Sequence, residues 1–307
     1  MRRYLPLRLL HNSSMRASRV TIVTLIILLL IFPGTQAQTI DSASKDLSIN
    51  KTRLVLVGGT LLGSIAAIHI YQQNGWWKNN RALFHFQEDL VYGLGVDKIG
   101  HFYGGHLLGF AMSKSLEWAD VPEEKALWIG AGGSLFFQTY VEVEDGFSKW
   151  GFDRVDWAAD LAGALWMPTR FYVSYLKNFD LKLSYHPSDL IGSSHGIGFR
   201  GQKHIIIDDY EGQTFWLTVK INNLLPQSVE SFYPDFLGLA FGYGARGIAG
   251  SNPHRVFLLA LDLDMTKIIP DDTQFLKILG EALNFIHFPM PAVQFSSNNT
   301  IWYGFYF

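Results

Sequence analysis

The sequence predicts an α+β protein: an apolar helical bundle of about four helices, followed by a small antiparallel β region with one further helix. Long apolar segments with interspersed glycines fill the chain after residue 53, and alternating β-branched and aromatic residues replace them after about residue 184. The long apolar segments favour packed helices, and the alternating segments favour strands with one buried face. The predicted organisation is a signal peptide at 1–37, a polar lead-in at 38–53, the bundle at 54–183 and the β-rich region at 184–307.

The N-terminal segment has the order of a secretory signal peptide. Basic residues precede an apolar run of about 13 residues from Val20 to Phe32, and Thr35-Gln36-Ala37 then offers small residues for cleavage. The run is shorter than the roughly 20 residues that a spanning helix needs. We therefore expect cleavage after Ala37, with an uncleaved N-terminal anchor as the alternative.

The composition restricts the class of protein and its partners. Only 17% of the residues are charged and 48% are hydrophobic, whereas soluble domains carry about a quarter charged residues. This balance favours a membrane or envelope protein, so membrane or envelope components are the expected partners. The absence of cysteine excludes disulfides and thiolate metal sites. No dense Lys/Arg cluster follows the leader, which excludes nucleic acid as a partner, and nothing identifies a protein partner.

Four apolar segments predict the helices of the bundle, at residues 54–71, 99–118, 126–141 and 157–176. Three glycine pairs lie four residues apart, at 59 and 63, 100 and 104, and 105 and 109. Small residues at this spacing share a helix face and permit close helix approach. Because the segments are marginal for a full span, we expect a compact bundle embedded in or lying against a membrane, with a water-soluble bundle as the alternative.

The second half of the chain predicts strands at residues 204–208, 214–221, 236–243, 256–264 and 301–307, with a helix at 271–288. Too few strands are visible to close a membrane barrel of about eight strands or more. We therefore expect a small antiparallel sheet packed on the bundle. The aromatic end of the chain at Phe307 leaves an outer-membrane-associated β protein as an alternative.

Ionisable residues interrupt the apolar helices in pairs that share a helix face. Several of these residues are spaced four apart along the chain, and buried charges are costly unless they are paired. A shared polar centre follows if the helices pack together. The candidate catalytic residues are Asp97, His101, Glu142, Asp156 and Asp160, and the candidate binding residues are Lys98, Gln138, Asp145 and Arg154.

Three kinds of centre fit these residues. One is a general acid/base pair built on His101 and Asp97, and another is a carboxylate/histidine metal site. The third is a structural network in which Lys98 and Arg154 pair with the acids. The spacing matches no H-E-x-x-H or D-x-D-x-D-G motif, so we expect neither a metal nor a cofactor. Asp153 is expected to cap the helix that follows it.

The same residues resemble a known family, the domain of unknown function 2279, over roughly residues 50–307. The resemblance implies a Gram-negative envelope protein exported across the inner membrane to the periplasm or an envelope membrane, and it implies no established activity. The lack of a cysteine to acylate departs from the family's lipoprotein description, and a distant similarity to VanZ-like membrane proteins is also visible. The motifs that carry the resemblance are Asp97-Lys98-x-x-His101, the helix with Gln138 and Glu142, Asp145-Gly146-Phe147-Ser148 and Asp156-x-x-x-Asp160-x-x-Gly163.

These observations together predict a membrane-associated envelope protein with a buried polar cluster and a structural or partner-binding role. An enzymatic activity is not the favoured interpretation. The alternatives are a membrane-interface enzyme or a lipid-binding protein that uses the His/carboxylate residues, and the outer-membrane-associated β protein named above.

Overall fold

The computed structural model describes residues 48–75, 77–193, 204–250, 252–296 and 299–307. The predicted signal peptide and residues 38–47 of the predicted lead-in lie outside this part of the chain. All the described residues belong to one compact unit. The long helices precede a six-stranded antiparallel sheet, which confirms the predicted α+β class.

Each of the four predicted helices is present and begins a few residues earlier than predicted, because polar side chains occupy the first turns. Asn50 caps the first helix and Asp153 caps the fourth, as expected for Asp153. The fourth helix ends earlier than predicted and is followed by a 3₁₀ turn at Ser174–Asn178. The helices are α1 (Lys51–Asn74), α2 (Val96–Trp118), α3 (Glu123–Gly146) and α4 (Arg154–Tyr172).

Glycines set how closely α2, α3 and α4 pack. A Cβ on Gly163 would lie 2.0 Å from the carbonyl oxygen of Phe102, and one on Gly105 would lie 2.7 Å from the carbonyl oxygen of Asp160. These two contacts hold α2 against α4 at backbone distance. The predicted packing role is wrong for Gly59 and Gly63, since nothing lies within 4 Å of a Cβ at either position.

α1 packs differently from the other long helices. Val57 is its one buried residue, although its most apolar stretch has a mean hydropathy of 1.9. Within the described ranges it is the one helix long and apolar enough to cross a membrane. Its polar contacts with the bundle lie near its ends: Arg53 donates to the Trp118 carbonyl at 3.0 Å, and Gln73 donates to Glu144 at 3.4 Å.

The sheet is a meander in which each strand pairs antiparallel with the next. Its strands are β1 (Phe179–Tyr185), β2 (Gln213–Val219), β3 (Leu237–Arg246), β4 (His254–Leu263), β5 (Met290–Ser296) and β6 (Asn299–Tyr306). Short helices follow β2 and β4 as α5 (Gln227–Glu230) and α6 (Met265–Ile268), and α7 (Gln274–Leu283) is the predicted further helix.

The observed sheet differs from the sequence prediction at three places. The expected strand at 204–208 is instead an isolated bridge at His204 followed by a 3₁₀ turn at Ile206–Asp208. Strands β1 and β5 were not predicted. β1 buries its polar side chains and β5 contains Pro291, so neither has the usual pattern of an apolar face turned to the core.

The buried face of the sheet combines polar side chains with an apolar cluster that contains Trp216, Val256 and Leu258, while the opposite face is apolar. Lys182, Trp216 and Gly242 lie side by side on the buried face. Lys182 is fully buried and bridges to Asp262 at 2.8 Å. Tyr306 of β6 reaches Thr214 of β2 with 3.1 Å between the hydroxyl oxygens, so the sheet curls around its buried face.

One apolar core joins the bundle to the sheet. Helix α2 contributes Tyr103 and Phe110, β2 contributes Phe215, and the segment after α7 contributes Phe285. The Tyr103 hydroxyl donates to the Phe285 carbonyl at 3.0 Å inside this core. The helices that carry the polar cluster are therefore fixed against the sheet by buried contacts.

Candidate functional site

The predicted polar side chains on α2, α3 and α4 converge on one buried cluster, which we call the His101 cluster. Its acids come from all three helices, so no single segment of sequence contains it. Asp153, the cap of α4, joins it as well. The His101 cluster consists of Asp97, Lys98, His101, Gln138, Glu142, Asp153, Asp156 and Asp160.

His101 lies at the centre, with carboxylates facing both of its ring nitrogens. Nδ1 lies 3.1 Å from Asp160 Oδ1 and 3.7 Å from Glu142 Oε1. Nε2 lies 3.8 Å from one oxygen each of Asp97 and Asp156. The imidazole is therefore flanked by negative charge on both edges.

Lys98 pairs with the three acids on one side of the cluster. Its Nζ lies 2.8 Å from Asp153, 2.8 Å from Asp156 and 3.2 Å from Asp97. This confirms the expectation that Lys98 pairs with the acids. The opposite side, with Glu142 and Asp160, receives no lysine or arginine among the ion pairs of the described residues.

Two hydrogen bonds from neutral groups orient the acids. Gln138 donates from Nε2 to Asp160 Oδ1 at 2.7 Å, and the Tyr210 hydroxyl donates to Asp97 Oδ1 at 2.6 Å. Gly93 permits the second bond, because a Cβ there would lie 2.7 Å from the Tyr210 ring. Sequence reasoning missed Tyr210 as a member of this site, although the Asp209-Tyr210-x-Gly212 motif is a recognisable signal.

Burial raises the pKa of three acids in the cluster and favours their protonated form. Burial, opposed by the charge of His101, raises the pKa of Glu142 to about 9. Burial also raises the pKa values of Asp160 and Asp156. Near neutral pH, the Glu142 carboxyl is accordingly protonated when no cation balances the cluster.

The pKa shifts of His101 and of the helix cap Asp153 both favour the charged form of the side chain. Burial disfavours the charged form of His101, but the hydrogen bond to Asp160 and the charges of Asp97 and Asp156 outweigh it and raise the pKa well above its ordinary value. The pKa of Asp153 is lowered because bonds from Lys98 and backbone amides outweigh the cost of burial. The cluster therefore contains a stabilised imidazolium at His101 and an ionised carboxylate at Asp153.

Two carboxylate oxygens in the cluster are buried without a hydrogen-bond partner among the described residues: Asp156 Oδ1 and Asp160 Oδ2. Asp160 is fully buried, and Asp156 is 6% exposed. Buried acceptors in native proteins are satisfied as a rule, so orphaned ones call for an explanation.

Two predicted binding residues lie outside the cluster. Asp145 accepts a hydrogen bond of 2.6 Å from the indole of Trp77. Arg154 is exposed and pairs with Glu88, because the first turn of α4 points this side chain away from α2 and α3. The expectation that Arg154 pairs with the acids of the cluster is therefore wrong.

The arrangement can perform two kinds of chemistry. A protonated imidazole between carboxylates can donate and recover a proton, and 23% of the His101 side chain is exposed. The cluster also contains two sets of three side chains whose ligand atoms lie within 4.8 Å of one another: Asp97, His101 and Asp156, and His101, Glu142 and Asp160. Sequence spacing did not indicate either set, because each combines at least two helices.

Comparison with known proteins agrees with the sequence resemblance. Residues 85–172, which run from before α2 to the end of α4, match the family model described as a predicted periplasmic lipoprotein (DUF2279). This match covers the helices that carry the cluster, and it confirms the resemblance there. Neither the curated proteins nor the solved structures contain a significant match to the chain.

The matched family is described as periplasmic, which agrees with the expected location in the periplasm or an envelope membrane. The chain itself contains no cysteine, so the acylated residue of a lipoprotein is absent from this sequence.

Proposed function

We propose that this chain is a membrane-associated envelope protein with a structural or binding role, held against a bilayer by the exposed apolar surface of α1. The observation that carries the proposal is α1 itself, a helix of 24 residues with one buried side chain. Val55 is 74% exposed and Leu62 is 70% exposed. Exposed apolar area on this scale is rare on soluble monomers and marks an interaction surface.

Hydrocarbon fits α1 better than a protein partner does. The helix is apolar around its whole circumference, without the polar side that a surface helix of a soluble protein carries. Lys51 and Arg53 lie at its start, while Lys78 and Arg81 follow its end. A long apolar stretch with basic residues at both ends is typical of membrane contact.

The neighbouring helix α3 extends the apolar surface. Trp128, Ile129, Phe136 and Val143 are all exposed on α3. The contact between Gln73 and Glu144 holds the end of α1 beside the end of α3. We therefore assign the membrane contact to α1 together with the exposed side of α3.

Fractionation tests this proposal. We expect the protein to sediment with membranes and to resist a neutral salt wash, because apolar contact is insensitive to salt. Leu62→Glu and Val55→Glu should shift most of the protein to the soluble fraction. Phe232→Glu is the matched control, since Phe232 is 87% exposed but lies in the β-rich half.

The intact mass of the membrane-bound form shows whether residues 1–37 have been removed. Release of the mature wild-type protein by salt alone would contradict the proposal. Equal retention of the α1 variants and the control would contradict it as well.

A second candidate, an outer-membrane-associated β protein, is favoured by the outward face of the sheet. Leu217, Phe241, Leu259, Val293 and Trp302 form one row across β2 to β6. Trp302 is 79% exposed. In the same fractionation, Trp302→Lys would release the protein if this face makes the contact, whereas the α1 variants would remain bound.

A further inference from the structure

We propose that His101, Glu142 and Asp160 bind a divalent transition-metal cation such as Zn²⁺ or Mn²⁺. The inference deepens the proposed binding role by naming the ligand class of the His101 cluster. It does not depend on whether α1 contacts a membrane. The ligand set comes from α2, α3 and α4, one side chain from each.

The geometry of these three side chains suits a single ion. His101 Nδ1 lies 3.1 Å from Asp160 Oδ1 and 3.7 Å from Glu142 Oε1. With metal–ligand bonds of about 2.1 Å, ligand atoms around one tetrahedral ion lie roughly 3.4 Å apart. The ligand atoms of all three side chains lie within 4.8 Å of one another, which is close enough for them to converge on one cation.

Asp160 provides a second, independent indication of a ligand. Its side chain is fully buried, and Oδ2 has no hydrogen-bond partner among the described residues. Gln138 donates to one lone pair of Oδ1 and holds the carboxylate in a fixed orientation, so the group can bind an ion through Oδ2, through the second lone pair of Oδ1, or through both oxygens. An oriented, desolvated oxygen with an unused lone pair is what a metal ion requires of a ligand.

The charges of the cluster favour this side over the other candidate set. Lys98 already pairs with Asp97 and Asp156, and its positive charge would repel a cation beside them. Glu142 and Asp160 have no such lysine or arginine partner among the described ion pairs, and Glu142 is only 2% exposed. A divalent cation would balance two buried carboxylates that are otherwise costly.

The Nε2 edge of His101, away from Glu142 and Asp160, faces acids that orient the imidazole as a metal ligand. Nε2 faces the Asp97 and Asp156 carboxylates at 3.8 Å each, and Tyr210 fixes Asp97 in place. Carboxylates behind a ligating imidazole set its tautomer and raise its affinity for metal. One imidazole with two carboxylates suits zinc, manganese or iron better than calcium or magnesium, which prefer oxygen ligands alone.

Metal titration of the full mature chain tests the inference. After dialysis against a chelator, calorimetric titration with Zn²⁺ and with Mn²⁺ should show one ion bound per chain. Glu142→Gln and Asp160→Asn should each weaken binding by at least about tenfold, since each removes a direct ligand. Glu144→Gln is the matched control, because it removes a partly exposed carboxylate of the same helix that pairs with Arg81 and lies outside the His101 cluster.

A second probe keeps the result decisive if one variant folds poorly. Co²⁺ bound to a histidine/carboxylate site should give visible absorption bands in the wild type and in Glu144→Gln, but not in Glu142→Gln. Circular dichroism checks that each variant is folded. Equal affinities in Glu142→Gln and the control, or no binding by the wild type, would overturn the metal site, while the fractionation result would be unaffected.

Discussion

Two histidines on α2 show how surroundings decide the charge of a side chain. The carboxylates around His101 raise its pKa well above the ordinary value. Five residues later, burial together with the charge of Arg170 lowers the pKa of His106 to about 3. His106 packs against the ring of Phe285 with 4.7 Å between centroids, in the core that joins bundle and sheet.

His106 predicts a loss of stability in acid. In the unfolded chain, its imidazole takes up a proton near pH 6.5, whereas in the folded protein it stays neutral to about pH 3. The folded state therefore loses stability as the pH falls through this window. At pH 5 the loss from His106 is on the order of 2 kcal/mol.

Urea unfolding of wild type and His106→Gln between pH 7 and pH 4.5 measures this effect. The variant should be less stable throughout, but its stability should fall less steeply with decreasing pH. His186→Gln changes an exposed histidine and should keep the wild-type slope. Parallel curves for wild type and His106→Gln would refute the expectation.

At the scale of elements, close helix packing decides where the cluster forms. Gly163 and Gly105 bring α4 against α2 at backbone contact, which places Asp160 beside His101. Ser134 of α3 donates to the Gly105 carbonyl at 2.7 Å and fixes the third helix. Larger residues at these positions would separate the ligand-bearing faces.

Gly163→Ala is therefore expected to destabilise the protein by more than about 2 kcal/mol, because the new methyl group would meet the Phe102 carbonyl at 2.0 Å. Gly132→Ala is the matched control on α3, where nothing lies within 4 Å of a Cβ. That change should be neutral or stabilise by up to about 1 kcal/mol, since alanine favours helix. Chemical denaturation compares the two, and an equal effect of both substitutions would show that close packing at Gly163 is not needed.

At the scale of the whole molecule, the shared core links the stability of the bundle to that of the sheet. Phe285 follows α7 in the β-rich half but contacts Tyr103, His106 and Phe110 of α2. The division of the chain into a bundle at 54–183 and a β-rich region at 184–307 stays a prediction from the sequence. The structure itself shows one core that takes side chains from both regions.

Phe285→Ala should destabilise the helices and the sheet together, by about 3–5 kcal/mol. Helical circular dichroism and tryptophan fluorescence should then report one coincident unfolding transition at a lower denaturant concentration. Phe232→Ala, at an exposed position, should change stability by no more than about 0.5 kcal/mol. Separate transitions for the two probes in the wild type would show that the two regions unfold independently.

Local patterns predicted much of this molecule. Long apolar segments predicted all four long helices, and spacing of four residues placed Asp97 with His101 and Asp156 with Asp160. The strands β1 and β5 were missed because they turn polar residues such as Lys182 and Gln294 into the curled sheet, which inverts the pattern expected from the sequence alone. Lys182 is the clearest case, since its full burial depends on Asp262, eighty residues further along the chain.

The sequence by itself determined the α+β class and which acids share a face of their own helix, because these depend on patterns within single segments. The family resemblance added the envelope location. Tertiary structure decided the rest: Lys98 on one side of His101, Glu142 and Asp160 on the other, and Tyr210 reaching Asp97 from a distant loop. The physical reason is that charge balance and ligand geometry depend on distances between helices, and those distances are set by packing across the whole fold.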